Sequence, residues 1–125
     1  MPIHPTAIID ATAEIDPTAE IGAYAVVEKN AHIGAGTRLY PHAYVSEGTT
    51  LGARCCIHPF AVVGHPPQDM KWKGAPSYTR IGDETVIREH VSIHRGTMPD
   101  STTTIGARCF LMATSHVGHN CIVGD

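Results

Sequence analysis

The chain has 125 residues, a formal net charge of −3, and 42% hydrophobic but only 6% aromatic residues. This length is enough for one domain with one continuous core, which small and aliphatic side chains must fill. The nine Lys and Arg residues are scattered rather than collected in a basic stripe, which argues against nucleic acid as a partner.

Targeting and redox signals point to one compartment. The first ten residues, MPIHPTAIID, contain no basic segment and no long apolar run, so no signal peptide is predicted. No apolar stretch approaches the roughly 20 residues of a membrane-spanning helix. The four Cys residues form no C-x-x-C motif and indicate no oxidising compartment. We therefore predict a cytoplasmic protein without a membrane span.

An aliphatic residue recurs every six positions from Ile3 to Val123. In this frame, 18 of 21 positions hold Ile, Leu or Val, and the exceptions are Asp69, Ala75 and Pro99. No helical period of 3.6 residues competes with this pattern. The exceptions fall within two interruptions, at residues 65–80 and 99–104.

A second column, four places after the aliphatic residue, holds small or β-branched side chains. Its members are Ala7, Ala13, Ala19, Ala25, Ala31, Thr37, Ala43, Thr49, Cys55, Ala61, Val91, Cys109, Ser115 and Cys121. Six residues make a short strand and a turn, and three such units close a triangular coil, with coils about 4.8 Å apart. We predict an all-β parallel β-helix over residues 1–125, with about six coils and both columns in its interior.

Two further patterns belong to this repeat. Cys55, Cys109 and Cys121 fall in the interior column and are predicted to be structural. Eight of the 12 Gly residues directly follow the aliphatic position. Glycine at a fixed phase indicates either positive φ or close backbone approach at a corner.

The phase of the repeat predicts where the interruptions leave the coil. If each interruption is extruded as a loop, both loops emerge from the same corner, one coil apart. The units of Val63, Ile93 and Val117 then stack on one face and bring His65, His94 and His119 beneath the loops. Loops extruded from a solenoid commonly lie at its binding face.

Besides His65, the chain has eight His residues, and these divide into two groups. His4, His32, His42 and His58 lie in the regular early coils and are predicted to be surface or corner residues. The later group comprises His90, His94, His116 and His119. Two chemistries remain open for it. A neutral imidazole can act as a general base at neutral pH, and the pairs His90/His94 and His116/His119 could each present two nitrogens to a metal.

Three motifs add specificity to the repeat. They are QDMK at 68–71, IREHVSIHRGT at 87–97 and LMATSHVGHNC at 111–121. Together they resemble the Q-D-x-K, I-R-E-x-V-x-I-H-R-G-T and L-M-x-x-x-H-x-x-H-D/N-C motifs of the UDP-N-acetylglucosamine O-acyltransferases that begin lipid A synthesis. The resemblance covers essentially the whole chain and implies a left-handed hexapeptide-repeat β-helix, which periodicity alone does not fix.

The resemblance also implies a reaction. A (3R)-hydroxyacyl group moves from acyl carrier protein to the 3-hydroxyl of UDP-N-acetylglucosamine, with no metal or cofactor, in a cytoplasmic homotrimer whose sites lie between subunits. By motif position His119 is the general base. The residues implied to line the substrate cleft are Gln68, Asp69, Lys71, His94 and His116.

Two features depart from that family's pattern. Asn120 stands where Asp is often expected, and its amide accepts a hydrogen bond without carrying charge. The sequence also stops in mid-coil at Asp125. We therefore expect that the coils and helical region supplying the oxyanion donor and nucleotide contacts are missing, and we do not expect the 125-residue chain to be active by itself.

Other functions share this repeat. One is the N-acyltransferase of the same pathway, whose acceptor is an amine and which lacks Q-D-x-K. A γ-type carbonic anhydrase holds zinc with three His on the same kind of β-helix, although its ligand spacing fits this sequence poorly. A third is a non-catalytic solenoid, since fold alone does not define function.

Overall fold

A computed structural model describes residues 3–125; Met1 and Pro2 of the predicted domain lie outside the described residues. Residues 3–125 form seventeen short strands and no helix, and so contain no helix able to cross a membrane. The strands are β1 Ile8–Ile9, β2 Glu14–Ile15, β3 Glu20–Ile21, β4 Val26–Val27, β5 His32–Ile33, β6 Arg38–Leu39, β7 Tyr44–Val45, β8 Thr49–Leu51, β9 Cys56–Ile57, β10 Val62–His65, β11 Tyr78–Ile81, β12 Val86–Ile87, β13 Ser92–His94, β14 Thr102–Ile105, β15 Phe110–Leu111, β16 His116–Val117 and β17 Ile122–Val123.

The strands form three parallel sheets, and the chain visits each sheet once per coil. Sheet 1 holds β3, β6, β9, β12 and β15; sheet 2 holds β1, β4, β7, β10, β13 and β16; sheet 3 holds β2, β5, β8, β11, β14 and β17. Val27 pairs with Ile9 in one neighbouring coil and with Val45 in the other. This register confirms the predicted triangular coil, and the solenoid of about six coils is a left-handed β-helix.

The interior consists of the two predicted columns. Ile57, Val63 and Ile87 are completely buried, as is Ala61 of the small-residue column. Burying one such aliphatic side chain contributes about 1.5–3 kcal/mol to stability. Because each coil supplies three aliphatic residues to one continuous core, the periodicity of the sequence is the cause of the fold.

Most of the glycines that follow the aliphatic residue are not required for positive φ. The left-handed conformation occurs three places after the aliphatic residue and is mostly held by other residues, such as Tyr24 with φ of 59°. A Cβ at Gly34 would instead collide with the carbonyl of Gly52, and one at Gly82 with the backbone of Gly106. Close approach of neighbouring coils therefore explains the glycine at these corners.

The interior cysteines act as hydrogen-bond donors between coils. The Sγ of Cys55 lies 3.2 Å from the carbonyl oxygen of Gly82, and that of Cys109 lies 3.1 Å from the carbonyl oxygen of Gly124. Burial raises the pKa of the Cys55 thiol. The prediction of an interior place was wrong for Cys121, which is exposed because no described coil covers it.

Both interruptions leave the corner between sheets 2 and 3, as the phase predicted. The first loop spans 66–77, between β10 and β11, and the second spans 95–101, between β13 and β14. The predicted boundaries of 65–80 and 99–104 were wrong. His65 still belongs to β10, while Thr79 and Thr103 align with Thr49 in the small-residue column and so return to the coil early.

Candidate active site

Sheet 2 brings histidines from successive coils together beneath the two loops. His65 at the end of β10 is the register partner of His94 at the end of β13. His116 begins β16 and pairs with Ser92, so it lies one coil further along. His119 follows β16 in the turn towards sheet 3. The structure therefore assembles His65, His94 and His119 near one corner, as the phase predicted, and adds His116 to them.

His94 is the buried member of this group, with 6% of its surface exposed. Its ring packs edge-on against His116, with centroids 4.8 Å apart. Burial lowers the pKa of His94 first, and the neighbouring charges of His116, His65 and His119 lower it further. The Nδ1 atom is buried without a hydrogen-bond partner in the described residues. His94 is therefore a neutral side chain at neutral pH.

Ser92 fixes the orientation of His116 across the coil boundary. The Nδ1 of His116 lies 2.8 Å from the hydroxyl of Ser92 and 3.1 Å from its carbonyl oxygen. The carbonyl contact is a hydrogen bond only when Nδ1 carries the proton, because a carbonyl oxygen cannot donate. In that tautomer, Nε2 of His116 is free to accept a hydrogen bond in the cleft.

Asn120 fixes the tautomer of His119. One atom of its amide accepts the backbone N–H of Thr97 at 2.9 Å, which identifies that atom as the oxygen. His119 Nδ1 lies 3.3 Å from the same oxygen. Since an amide oxygen can only accept, Nδ1 of the neutral ring carries the proton and Nε2 keeps its lone pair.

The first loop places a carboxylate opposite that lone pair. Asp69 Oδ2 lies 3.9 Å from His119 Nε2, with the Asp69 side chain 24% exposed and that of His119 39% exposed. The other carboxylate oxygen accepts the backbone N–H of Lys71 at 2.9 Å, which stabilises the turn. Gln68 and Lys71 are exposed beside Asp69 on this turn. The structure thus joins Asp69, His94, His116 and His119 in one partly open site.

His90 does not belong to this site. It lies in the corner between sheets 1 and 2, where its ring stacks on Phe60 with centroids 5.4 Å apart. Its predicted grouping with the later histidines was wrong, because β13 runs between its corner and that of His94. Within residues 3–125, no group of three or more His, Cys, Asp or Glu is arranged to hold a metal ion.

Sequence reasoning missed two residues that shape the site. Ser92 orients His116, and its signal was available in the repeat, because Ser92 occupies the same outward phase one coil earlier. Thr97 holds Asn120 through its backbone N–H. A backbone contact of this kind cannot be predicted from the type of side chain at residue 97. The assembled groups are an imidazole with a carboxylate beside it and two further imidazoles, and such a set can take a proton from a hydroxyl.

The architecture and site define a left-handed hexapeptide-repeat β-helix with a histidine-lined cleft under two extruded loops. The family model described as the GMPPB C-terminal domain matches residues 3–99. The chain belongs to this hexapeptide-repeat family, and it matches the N-terminal part of the UDP-N-acetylglucosamine O-acyltransferases.

Curated relatives carry this match along the whole chain. The acyl-[acyl-carrier-protein]–UDP-N-acetylglucosamine O-acyltransferase of Anaeromyxobacter sp. (strain Fw109-5) is 57% identical over 126 residues, covering 100% of this chain and 49% of the relative. The enzyme of the same name from Syntrophobacter fumaroxidans is 45% identical over 126 residues, with the same two coverages. The chain spans about half the length of the curated relatives it matches.

Solved structures agree with the sequence match. LpxA from Acinetobacter baumannii superposes with a TM-score of 0.97 at 44% identity, covering 100% of this chain and 49% of that one. LpxA from Moraxella catarrhalis gives a TM-score of 0.96 at 46% identity, with the same coverages. These findings confirm the resemblance that the three motifs indicated.

Proposed function

We propose that the chain forms the N-terminal half of an enzyme that transfers a (3R)-hydroxyacyl group from acyl carrier protein to the 3-hydroxyl of UDP-N-acetylglucosamine, the first step of lipid A synthesis. The names of its relatives support the acyl donor and the sugar nucleotide. The single observation that carries the proposal is the placement of His119, whose Nδ1 lies 3.3 Å from the amide oxygen of Asn120 and whose Nε2 lies 3.9 Å from the Asp69 carboxylate.

In this proposal His119 is the general base. The 3-hydroxyl oxygen attacks the thioester carbonyl carbon, and its proton passes to Nε2 of His119. The resulting imidazolium lies beside the Asp69 carboxylate, which stabilises its positive charge. When the tetrahedral intermediate collapses and the carbon–sulfur bond breaks, the imidazolium gives the proton to the departing phosphopantetheine thiolate.

The remaining predicted residues act in binding. His94 and His116 present their rings to the sugar nucleotide from the wall of the cleft, and burial lowers the pKa of His94, which favours its neutral form. Gln68 and Lys71 stand on the exposed turn of the first loop, where an amide and an ammonium group suit the phosphopantetheine or the diphosphate.

The remaining catalytic groups belong to the part of the relatives that this chain does not match. We assign the N–H donor for the developing oxyanion and further nucleotide contacts to those later coils. The functional unit is a cytoplasmic homotrimer in which the first loop and the histidine wall of one subunit face a neighbour. The partly open cleft of the single chain supports such an arrangement.

The test uses a chimaera in which residues 1–125 precede the C-terminal half of the Anaeromyxobacter relative. Turnover is measured with UDP-N-acetylglucosamine and hydroxyacyl carrier protein, beside a thermal melt. We expect His119→Ala to lower the turnover rate by about 10²–10⁴-fold without changing the melting temperature, because the general base is lost.

The matched control is His90→Ala, which removes an exposed imidazole from the opposite end of the same sheet. It is expected to keep its rate. A folded chimaera that transfers no acyl group would contradict the proposed function. If His119→Ala kept more than about a tenth of the rate at unchanged stability, the base would be His94 or His116 instead.

A further inference from the structure

We propose that Arg95 is a positioning residue that holds the first loop in place by stacking on Trp72, and thereby keeps Asp69 beside His119. Only the catalytic consequence rests on the proposed function. The guanidinium carbon of Arg95 lies 5.7 Å from the centroid of the Trp72 ring. A desolvated cation over an indole is the most favourable form of this contact.

The environment of Arg95 disfavours a charged side chain, because the residue is largely removed from solvent. Only 7% of the residue is exposed, and its Nε is buried without a hydrogen-bond partner in the described residues. Its nearest carboxylate oxygen, on Glu47, is 3.9 Å away, too far for a direct hydrogen bond. Burying a cation with so little compensation destabilises a protein. Within the described residues, the Glu47 carboxylate and the Trp72 indole are the favourable contacts of this cation.

The body of the β-helix determines where Arg95 points. Its backbone N–H donates to the carbonyl oxygen of His65 at 2.9 Å, which continues the pairing of β13 with β10. Glu47, which faces its guanidinium, is held in turn by Glu28, whose carboxylate accepts the backbone N–H of Glu47 at 3.3 Å. His65 and Glu47 both belong to regular coils, so the position of Arg95 does not depend on the loop.

The outer part of the first loop has few other attachments, whereas Pro67 and Ser77 near its two ends are buried. Within residues 68–74, only Asp69 and Trp72 are partly covered, and the five others are exposed. An open pocket of about 500 Å³ adjoins the loop, with Trp72 and Arg95 in its lining. The outer turn of the loop is therefore not held by dense packing, and in this proposal the contact between Arg95 and Trp72 fixes it.

Trp72 and Asp69 are two ends of the same turn. The backbone N–H of Trp72 donates to the carbonyl oxygen of Asp69 at 3.0 Å. We therefore expect displacement of the Trp72 backbone to shift Asp69, whose carboxylate lies 3.9 Å from Nε2 of His119. Arg95 acts on His119 through this turn, although it touches neither the hydroxyl nor the thioester.

Trp72 is the single Trp of the chain, so its fluorescence reports directly on the loop. The experiment measures acrylamide quenching of tryptophan emission in the purified 125-residue chain. A cation–π contact of this kind changes a docking equilibrium by about 5–30-fold. We expect Arg95→Met to raise the quenching constant, and Arg95→Lys, which keeps the charge but not the planar group, to raise it less.

The control is Arg38→Met. Arg38 stacks on Tyr40 at 4.4 Å on sheet 1, so this variant removes a contact of the same kind away from the loops. Its quenching should equal that of the unchanged chain. Unchanged quenching in Arg95→Met, with or without a lower melting temperature, would overturn the proposal. If Arg95→Met does not fold, Arg95→Lys decides in the same way.

The catalytic consequence is tested in the chimaera. Arg95→Met and Trp72→Ala should each lower kcat several-fold, Trp72→Phe should restore most of it, and the double variant should lose no more than either single one. Additive losses would overturn the coupling of the two residues. If the unchanged chimaera transfers no acyl group, the proposed function fails while the quenching result still decides the docking.

Discussion

The surroundings of His94 lower the pKa of its side chain. A histidine on an exposed turn keeps its ordinary pKa near 6.5, but His94 is buried and borders His65, His116 and His119. Both burial and like charge favour the neutral ring, so the pKa of His94 is lowered. The lowered pKa makes the folded chain sensitive to acid.

We expect His94→Asn to reduce that acid sensitivity. The unfolded chain binds a proton at this residue more readily than the folded chain does, because the folded pKa is lower. The stability due to neutral His94 is therefore complete above the unfolded pKa of 6.5, and it is lost as pH falls through the folded pKa. Thermal melts from pH ~7 to pH ~5 measure the slope. Equal slopes in His94→Asn and the unchanged chain would contradict this prediction.

The two loops and the turn after β16 form a connected element. The amide oxygen of Asn120 accepts hydrogen bonds from the second loop and from His119, and Asp69 of the first loop faces the other side of that imidazole. The orientation of His119 therefore depends on three segments that the sequence separates widely. A residue at their junction should affect catalysis more than stability.

In the chimaera, we expect Asn120→Ala to lower kcat by up to about 30-fold, because one hydrogen bond is worth about 1 kcal/mol and two are lost. Asn120→Asp, whose carboxylate accepts both, should stay within a few-fold. Asn120 has a φ of 62°, so alanine also adds backbone strain.

Asn30→Ala is the matched control for that strain. Asn30 has a φ of 58° in an early coil, away from the loops. It should show a similar loss of melting temperature with unchanged kcat. Equal losses of kcat in both alanine variants would mean that strain alone explains the effect of Asn120.

At the scale of the whole molecule, every coil is covered by its neighbours except at the two ends. β15, β16 and β17 each pair on one side only. Large apolar side chains stand exposed at this end, including Phe110, Met112 and Ile122. A free sheet edge beside exposed apolar surface is a site for association.

We expect the purified 125-residue chain to associate rather than to remain monomeric, because these edges can pair with another copy. Sedimentation velocity measures this directly, and far-UV circular dichroism of the same sample should show β-structure with little helix. The chimaera, in which further coils follow residue 125, should lose the end-to-end association. A clean, stable monomer of the isolated chain would contradict the prediction.

Much of the fold was predictable because it is repetitive. One aliphatic residue per face and one small residue per corner recur with a fixed phase, so each coil repeats the same local requirement. Phase alone also predicted that both loops share a corner. Their boundaries were predicted incorrectly, since the early return of Thr79 and Thr103 to the coil depends on pairing with Thr49.

The sequence by itself determined the class of fold, the corner of the loops and the histidines that border it, because these follow from counting along one chain. Tertiary structure decided which groups touch. His116 meets Ser92 across 24 residues, and Asn120 meets Thr97 across 23. The stack of Arg95 on Trp72 joins a coil to a loop that follows no repeat. Periodicity determines which face a residue occupies, but hydrogen bonds and ring contacts depend on how coils and loops meet in three dimensions.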